Sequence, residues 1–126
     1  KLEYRGYDSS GIMIYNDKAL IKKAKGKVSD LESLFTNEEE KKGSLGIGHT
    51  RWATHGPPNQ INSHPHSSNS GEIILVHNGI IENYDSIKKI LSKKGYVFHS
   101  DTDSEVLANL IEDIKKTKKI IFIVGF

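Results

Sequence analysis

Hydrophobic and polar residues alternate with a period of two in several short stretches, and this alternation predicts strands. The stretch SSGIMIYNDKALIKKAKG, residues 9–26, is typical of two strands joined by a turn at Asn16 and Asp17. Further strands are predicted over residues 45–51, 72–79 and 96–98, the second as a buried apolar run that leads into a glycine turn.

Between these stretches the apolar residues follow a helical period. The stretch SDLESLF, residues 29–35, predicts a short helix that begins with a capping box of Ser29 and Glu32. A second helix is predicted within residues 83–95, where Gly95 occupies the place of a C-terminal cap. Its apolar face consists of Ile87, Ile90 and Leu91.

A third helix is predicted after Thr102 and Glu105, which have the spacing of a capping box. Its core face is predicted to contain Val106, Leu107, Leu110, Ile111 and Ile114. The mixed order of helices and closely spaced strands predicts an α+β fold with antiparallel sheet, in one domain over residues 1–126.

Composition narrows the class of protein. The chain is 36% hydrophobic and 27% charged with a net charge of +2, so it lacks the basic excess of a nucleic-acid binder. No apolar run approaches the length of a bilayer span, and the first residues, KLEYRGYDSSG, lack the apolar core of a signal peptide. A cytoplasmic protein without nucleic-acid or membrane partners is therefore expected.

The two ends suggest that the sequence is a fragment. It begins with Lys1 and ends in the apolar stretch IIFIVGF, which is typical of a buried strand. The chain contains no cysteine, which excludes disulfides, a thiolate nucleophile and cysteine-ligated zinc within these residues.

Polar residues without an evident role in folding gather in a few places, mostly at strand ends and in loops, where sites are usually built. One of them lies in the irregular run of residues 54–72, which holds all three prolines and three histidines. A loop of this length is either disordered or functional. The polar segments are residues 3–11, 49–56, 62–66, 77–79 and 100–105.

Arg51 is a candidate carboxylate-binding residue. Arg5 and Arg51 are the only arginines among 18 basic residues, so a guanidinium was selected at these positions in a chain that otherwise uses lysine. The planar fork of arginine matches a carboxylate through two parallel hydrogen bonds, whereas lysine offers a point charge. The alternative is a structural salt bridge.

Asn78 and Gly79 follow the apolar run and are candidates for an oxyanion hole, since an amide and a glycine N–H can point two donors at one spot. The alternative is that Asn-Gly simply turns the chain, because this pair is a strong hairpin signal. The residues that follow, IIEN, do not return as a hairpin partner in register, which weakens the turn interpretation.

Asp103 and the histidines also allow two interpretations. Asp103 is either an ordinary first-turn carboxylate or an acceptor for a substrate ammonium. The HPH motif at His64 and His66 suggests metal binding, but its spacing is not a standard ligand pattern, and hydrogen bonding that fixes the loop is favoured. An arginine for a carboxylate and an aspartate for an ammonium would together form an amino-acid site.

Five stretches carry a family resemblance: LEYRGYDSSG, HTRWATHG, NSHPH, VHNGIIENY and SDTDSEV. In this order and spacing they resemble the glutaminase domain of the glutamine:fructose-6-phosphate amidotransferase family, whose members make glucosamine 6-phosphate. The resemblance covers residue 2 to about residue 115. It implies a fold of the N-terminal-nucleophile type, with two antiparallel sheets packed between helices, and hydrolysis of glutamine without a cofactor.

The resemblance also implies roles for individual residues. Arg51 would bind the α-carboxylate of glutamine and Asp103 its α-ammonium, while Asn78 and the Gly79 N–H would form the oxyanion hole. Arg5 would lie near the nucleophile. Trp52 would guard the passage of ammonia, Thr54 and His55 would line the pocket, and His64 would support it.

The nucleophile of this family is an N-terminal cysteine, which these residues do not contain. We therefore expect a fragment that is inactive alone and lacks both the nucleophile segment and the sugar isomerase half. Glutamine, fructose 6-phosphate through the isomerase half, and further copies of the full-length protein are the implied partners. The alternatives are a glutamine-binding module without a nucleophile and a metal-dependent hydrolase built on the histidines.

Overall fold

Three strands form an antiparallel sheet at the start of the chain. The computed structural model describes residues 7–52, 57 and 59–117. Strands β1 (Ser9–Asn16), β2 (Lys18–Lys25) and β3 (Leu45–Arg51) lie in the order β2–β1–β3. The predicted hairpin and the third strand are therefore confirmed.

The hairpin turns at the predicted position. Asn16 pairs with Lys18, and Asp17 between them has a φ of 61°. Aspartate is one of the few residues other than glycine that occupies this left-handed region readily. The short polar side chain at the turn thus sets the register of β1 against β2.

Helix α1 (Val28–Glu32) begins earlier than predicted, with Lys27 as its N-cap. Asp30 accepts a hydrogen bond from the backbone N–H of Lys27 at 2.7 Å. The predicted capping box of Ser29 and Glu32 was therefore wrong, because Asp30, two residues before Glu32, binds the N-terminal backbone of the helix. A 3-10 turn at Glu38–Lys41 follows.

The predicted strand over residues 72–79 was wrong in length and burial. Only β5 (Ile74–Leu75) has strand geometry, and it pairs with the equally short β4 (His66–Ser67). The apolar residues of this run are half-buried. The strand is short because its partner lies in an irregular loop that offers only two residues opposite it.

No strand forms at residues 96–98, where one was predicted. The backbone of Val97 is instead held by a side chain, since its N–H donates to Asn69 Oδ1 at 2.8 Å and its carbonyl accepts from Asn69 Nδ2 at 2.7 Å. A side-chain amide thus provides the donor and acceptor that a neighbouring strand would provide.

Helix α2 (Tyr84–Lys93) ends at the predicted cap. Gly95 has a φ of 94°, and the N–H of Tyr96 donates to the carbonyl of Leu91, as in a glycine-terminated helix. Leu91 is 1% exposed, but Ile90 is 58% exposed and does not belong to the core. The helix packs on α3 (Asp103–Thr117) with a narrower apolar face than the sequence predicted.

The predicted start of α3 is half correct. The hydroxyl of Thr102 accepts a hydrogen bond from the N–H of Glu105 at 3.4 Å, as a capping residue should. Glu105 does not return the bond, because its carboxylate accepts from the backbone of His99 and Ser100 instead.

The buried face of α3 is partly polar. Asn109 is 0% exposed and Glu112 is 1% exposed. They accept hydrogen bonds from the backbone N–H groups of Asn69 and Ser70, at 2.9 Å and 3.1 Å. Val106 is buried as predicted, but the other four predicted core residues of this helix, Leu107, Leu110, Ile111 and Ile114, are half-buried.

Two antiparallel sheets and three α-helices in the described residues confirm the α+β class. Among these helices, none combines the length and apolar character needed to cross a bilayer.

The loop that carries His64 lies directly on strand β1 at Gly11. A Cβ added to Gly11 would overlap the carbonyl oxygen of His64 and would lie 3.2 Å from the carbonyl oxygen of Lys22. Gly11 is buried in the central strand, between Lys23 of β2 and His49 of β3. Glycine is required here by the close approach of two backbones.

We predict that Gly11→Ala lowers the free energy of unfolding by more than about 2 kcal/mol, since the loop must move away from the sheet. Gly48→Ala on the neighbouring strand is the matched control, because an added Cβ there meets nothing closer than 3.7 Å. Chemical denaturation of both variants measures the difference. Equal stability of the two variants would contradict the role of Gly11.

Candidate functional site

Arg51 lies at the end of β3, where pairing with β1 places it beside Ser9. Its carbonyl accepts from the N–H of Asp8 at 3.0 Å, and the residue is 3% exposed. Burial lowers the pKa of Arg51, while the carboxylates of Asp8 and Asp103 raise it. The two acidic groups thus oppose, in part, the effect of burial on this guanidinium.

Asp103 lies at the first position of α3 and is 4% exposed. Its Oδ2 accepts a hydrogen bond from the backbone N–H of Ile81 at 2.8 Å. Because the charge of Asp103 acts on the pKa of Arg51, the two groups lie within electrostatic reach of one another. The fold thus brings together the residues predicted to bind the two charged groups of an amino acid.

Asn78 and Gly79 lie on an exposed segment between two attachments to α3. Neither residue has a positive φ, although such angles are required in the two-residue hairpin turns that favour Asn-Gly. No strand of the described residues follows before α2. Asn78 and Gly79 therefore do not form a two-residue hairpin turn, whereas a turn of another kind and the oxyanion role both stay predictions.

Three histidine rings contact one another within electrostatic reach of Arg51 and form a cluster, the histidine stack. The ring of His64 lies 4.3 Å from that of His49 in a stacked arrangement and 4.8 Å from that of His66, edge to face. His64 Nδ1 lies 3.4 Å from the backbone nitrogen of His77, which donates to it. An imidazole nitrogen accepts a hydrogen bond only when it carries no proton.

Burial keeps these histidines neutral. Burial, with smaller contributions from neighbouring positive charges, lowers the pKa of His64 to about 2 and that of His66 to about 3. Burial also lowers the pKa of His49, and the positive charge of Arg51 lowers it further. Neutral imidazoles can therefore pack near a buried guanidinium without repelling it.

The stack does not resemble a metal centre. Within the described ranges, no group of three histidine, aspartate or glutamate side chains is placed to hold a metal ion. The rings contact one another through their faces and edges, and His66 Nε2 is already hydrogen-bonded to the hydroxyl of Thr102 at 3.0 Å. These contacts agree with the interpretation of the histidines as hydrogen-bonding residues that fix the loop.

The structure describes two more of the predicted site residues and leaves three outside its described ranges. Trp52 follows Arg51 and is 64% exposed. His64 contacts the segment that carries Asn78, through its bond to His77. Thr54, His55 and Arg5 lie outside the described residues.

Sequence reasoning missed two residues of the site, His77 and Ser104. His77 Nδ1 lies 3.4 Å from the hydroxyl of Ser104, next to Asp103 in the first turn of α3. Both belong to the polar segments 77–79 and 100–105. The signal was thus present as polar residues without a folding role, but the pairing between the two segments requires the tertiary structure.

Glu105 was predicted only as a capping residue. It is 5% exposed, and its carboxylate accepts from the N–H groups of His99 and Ser100 and from the Ser100 hydroxyl, at 2.6 to 3.2 Å. The Ser100 hydroxyl also contacts that of Thr102, which contacts His66. This network binds the loop before α3 to His66 of the histidine stack.

The chain is similar to known glutamine amidotransferases over most of its length. The family model described as glutamine amidotransferase domain matches residues 18–120. The chain is 52% identical over 122 residues to a protein of Bacteroides thetaiotaomicron named glutamine–fructose-6-phosphate aminotransferase [isomerizing]. It is 56% identical over 114 residues to a Pyrococcus horikoshii protein of the same name.

These alignments cover 95% and 90% of this chain, but only 20% and 19% of the relatives. The chain therefore spans about a fifth of the length of the curated relatives it matches.

Known structures show the same fold. Glutamine phosphoribosylpyrophosphate amidotransferase from Bacillus subtilis matches with a TM-score of 0.66 and 34% identity, over 88% of this chain and 24% of that chain. A structure described as the allosteric regulatory enzyme of purine biosynthesis matches with a TM-score of 0.67 and 35% identity, over the same shares. The predicted N-terminal-nucleophile type of fold is confirmed.

The lowered pKa values of His64 and His66 predict a loss of stability in acid. Unfolding restores ordinary histidine pKa values near 6.5, so the unfolded state binds more protons as the pH falls below about 6.5. The contribution is fully present above this pH and decreases by up to about 1.4 kcal/mol per pH unit for each histidine.

Denaturation at pH 7.5, 6.0 and 5.0 measures this slope. Burial raises the pKa of Glu112, but hydrogen bonds from Lys116, Ser68 and Ser70 together lower it to about 2. The interval lies above the pH range in which Glu112 loses its own contribution to stability. His66→Asn, which cannot take up a proton, should have a smaller slope than the parent. An unchanged slope in this variant would contradict the assignment of the acid sensitivity to His66.

Proposed function

The chain belongs to the glutamine amidotransferase domain family, and we propose that it hydrolyses glutamine within a longer enzyme that aminates fructose 6-phosphate. The observation that carries the proposal is the convergence of Arg51 and Asp103 from distant parts of the sequence. A buried guanidinium and a buried carboxylate match the α-carboxylate and the α-ammonium of an amino acid.

Each charged group would bind one end of the backbone of glutamine. Arg51 donates two parallel hydrogen bonds to the α-carboxylate, and Asp103 accepts from the α-ammonium. Oδ2 of Asp103 already accepts from the N–H of Ile81, which fixes its carboxylate next to the segment of Asn78 and Gly79. The side-chain amide of glutamine then extends toward the segment of Asn78 and Gly79.

Asn78 and Gly79 would bind the oxygen of that amide. In amide hydrolysis through a covalent intermediate, a nucleophile bonds to the amide carbon and the electron pair of the C=O bond moves onto oxygen. The Asn78 side-chain amide and the Gly79 N–H donate to this oxyanion. The C=O bond then re-forms as the C–N bond breaks, and the leaving nitrogen takes up the proton that was removed from the nucleophile and departs as ammonia. Water attacks the acyl-enzyme, which releases glutamate and returns the proton to the nucleophile.

The nucleophile in this proposal is an N-terminal cysteine thiolate, as the family resemblance implies, and it lies outside these 126 residues. Arg5 lies near it in the proposal, while Thr54 and His55 line the pocket. His64 supports the pocket through the segment of Asn78, which its bond to His77 favours. Trp52, exposed beside Arg51, guards the exit of ammonia.

The rest of the proposal concerns the whole protein. The relatives are named as aminotransferases that isomerise fructose 6-phosphate, and the sugar-binding part of such an enzyme would lie in the four fifths that this chain does not cover. We propose that the whole protein accepts fructose 6-phosphate, assembles as a homo-oligomer and acts in the cytoplasm.

Arg51→Lys tests the carboxylate site in the full-length gene product. We expect the KM for glutamine to rise by about 10- to 100-fold with a smaller change in kcat, because the two-point contact becomes a point charge. Lys25→Arg, an exposed exchange of the same two residue types on β2, is the control. Steady-state kinetics of folded enzyme with an unchanged KM would mean that Arg51 is structural.

Asn78→Ala tests the oxyanion hole in the same protein. We expect kcat per active site to fall by about 10²- to 10³-fold with little change in KM, since the donor acts on charge that appears in the transition state. Active sites are counted with a covalent glutamine analogue. Asn83→Ala is the control, because Asn83 is exposed and its side chain makes no capping bond to α2. Normal turnover per titrated site, with a lower melting temperature, would assign Asn78 to the fold.

A further inference from the structure

The segment that carries Asn78 and Gly79 is attached to the first turn of α3 at two points. At one end, the N–H of Ile81 donates to Asp103. At the other end, the ring of His77 hydrogen-bonds to the hydroxyl of Ser104 through Nδ1. Adjacent residues of one buried helical turn thus hold the two sides of an otherwise exposed segment.

The ring of His77 also lies against Gly79. A Cβ added to Gly79 would lie 3.0 Å from Nε2 and 3.2 Å from Cε1 of this ring. Contacts this close leave room for glycine and little more. The position of the Gly79 backbone is therefore limited on this side by an imidazole whose other ring nitrogen is bound to Ser104.

A third contact fixes the backbone of His77 itself. Its N–H donates to Nδ1 of the buried His64. The ring and the backbone of His77 are thus bound to two different elements, α3 and the loop of residues 59–69. Both bonds are long, at 3.4 Å, so together they restrain the imidazole beside Gly79 in part.

We propose that His77 is a positioning residue, bound by Ser104 and His64, that sets the direction of the Gly79 N–H toward the amide oxygen of bound glutamine. The inference rests on the proposed function, which assigns that N–H to the oxyanion hole. His77 acts through the backbone of Gly79 and does not touch the substrate. Ser104 acts one step further away, by orienting the His77 ring.

The chemical reason is the geometric demand of an oxyanion hole. A donor contributes fully only at about 2.7–3.1 Å from the place that the oxyanion will occupy, and a shift of about 1 Å costs on the order of 10²-fold in rate. Loosening the Gly79 backbone should therefore lower kcat. It should leave the binding of the glutamine backbone at Arg51 and Asp103 nearly unchanged.

Ser104→Ala in the full-length gene product removes the bond to His77, together with a 3.5 Å contact of the same hydroxyl to Asp103 Oδ1, and leaves the ring in place. We expect kcat per titrated active site to fall by about 3- to 10-fold, with KM within about twofold, because a bond of 3.4 Å restrains the ring only in part. Ser104→Thr retains a hydroxyl and should restore most of the activity.

Ser70→Ala is the matched control. It removes a serine hydroxyl bond to the same helix, from Ser70 Oγ to Glu112 at 2.6 Å, without touching residues 77–81. A purely structural role of Ser104 predicts that both alanine variants lose stability while turnover per active site stays normal. The proposal predicts a loss of turnover in Ser104→Ala alone.

His77→Asn tests the ring itself. The asparagine amide can still reach the position of Nδ1 and bind Ser104, but it removes the part of the ring that contacts Gly79. We expect a fall in kcat of about 10- to 10²-fold with little change in KM. Full activity in this variant would overturn the proposal.

A readout without catalysis separates this inference from the proposed function. In ¹⁵N-labelled protein, Ser104→Ala should shift the amide resonance of Gly79 and speed its hydrogen exchange, whereas Ser70→Ala should do neither. If the parent does not hydrolyse glutamine, the proposed function fails, but this comparison still decides whether Ser104 positions Gly79. An unchanged Gly79 amide in both Ser104→Ala and His77→Asn would overturn the inference.

Discussion

The first turn of α3 carries three consecutive buried polar side chains, and each of them fixes a different part of the chain. Asp103 accepts from Ile81, Ser104 bonds to His77, and Glu105 accepts from the loop that precedes the helix. Backbone groups of irregular segments need partners when they are buried, and short polar side chains on a rigid helix provide them at fixed positions. The geometry of the candidate pocket therefore depends on where this one turn lies.

This arrangement places charge and polarity where hydrophobic residues would ordinarily be expected. Glu105 is accommodated because three donors surround its carboxylate. Arg51 lies within electrostatic reach of the carboxylates of Asp8 and Asp103, and the histidines near it are neutral. A partly polar interior is costly unless every group is satisfied, so a change in one member should affect the others.

The sequence predicted the elements whose signals are local. The turn at Asp17, the strand that ends at Arg51 and the cap at Gly95 each follow from a few adjacent residues. Errors arose where a side chain bonds to a backbone group other than the one its local pattern suggested, whether nearby or distant. Asn69 holds Val97 in place of a strand, and Glu105 turns away from Thr102 toward the preceding loop.

The site shows the same division between local and tertiary information. Arg51, Asp103 and Asn78 could be selected from the sequence because their residue types suit the chemistry and lack an evident role in folding. Their arrangement could not be derived in this way. His77 and Ser104 meet only because the segment after β5 returns to the start of α3. The spacing of the two residues along the sequence does not predict this contact.

His64 links the sheet, the histidine stack and the segment that carries Asn78, because it contacts all three. Its carbonyl lies against Gly11 in the central strand, its ring stacks on His49 of β3, and its Nδ1 accepts from His77. The residue thus connects the sheet that carries Arg51 to the segment that carries Asn78. The last of these bonds exists only while His64 is neutral, because a protonated Nδ1 has no lone pair to offer. The burial that lowers the pKa of His64 is therefore also the condition under which the two halves of the pocket stay joined.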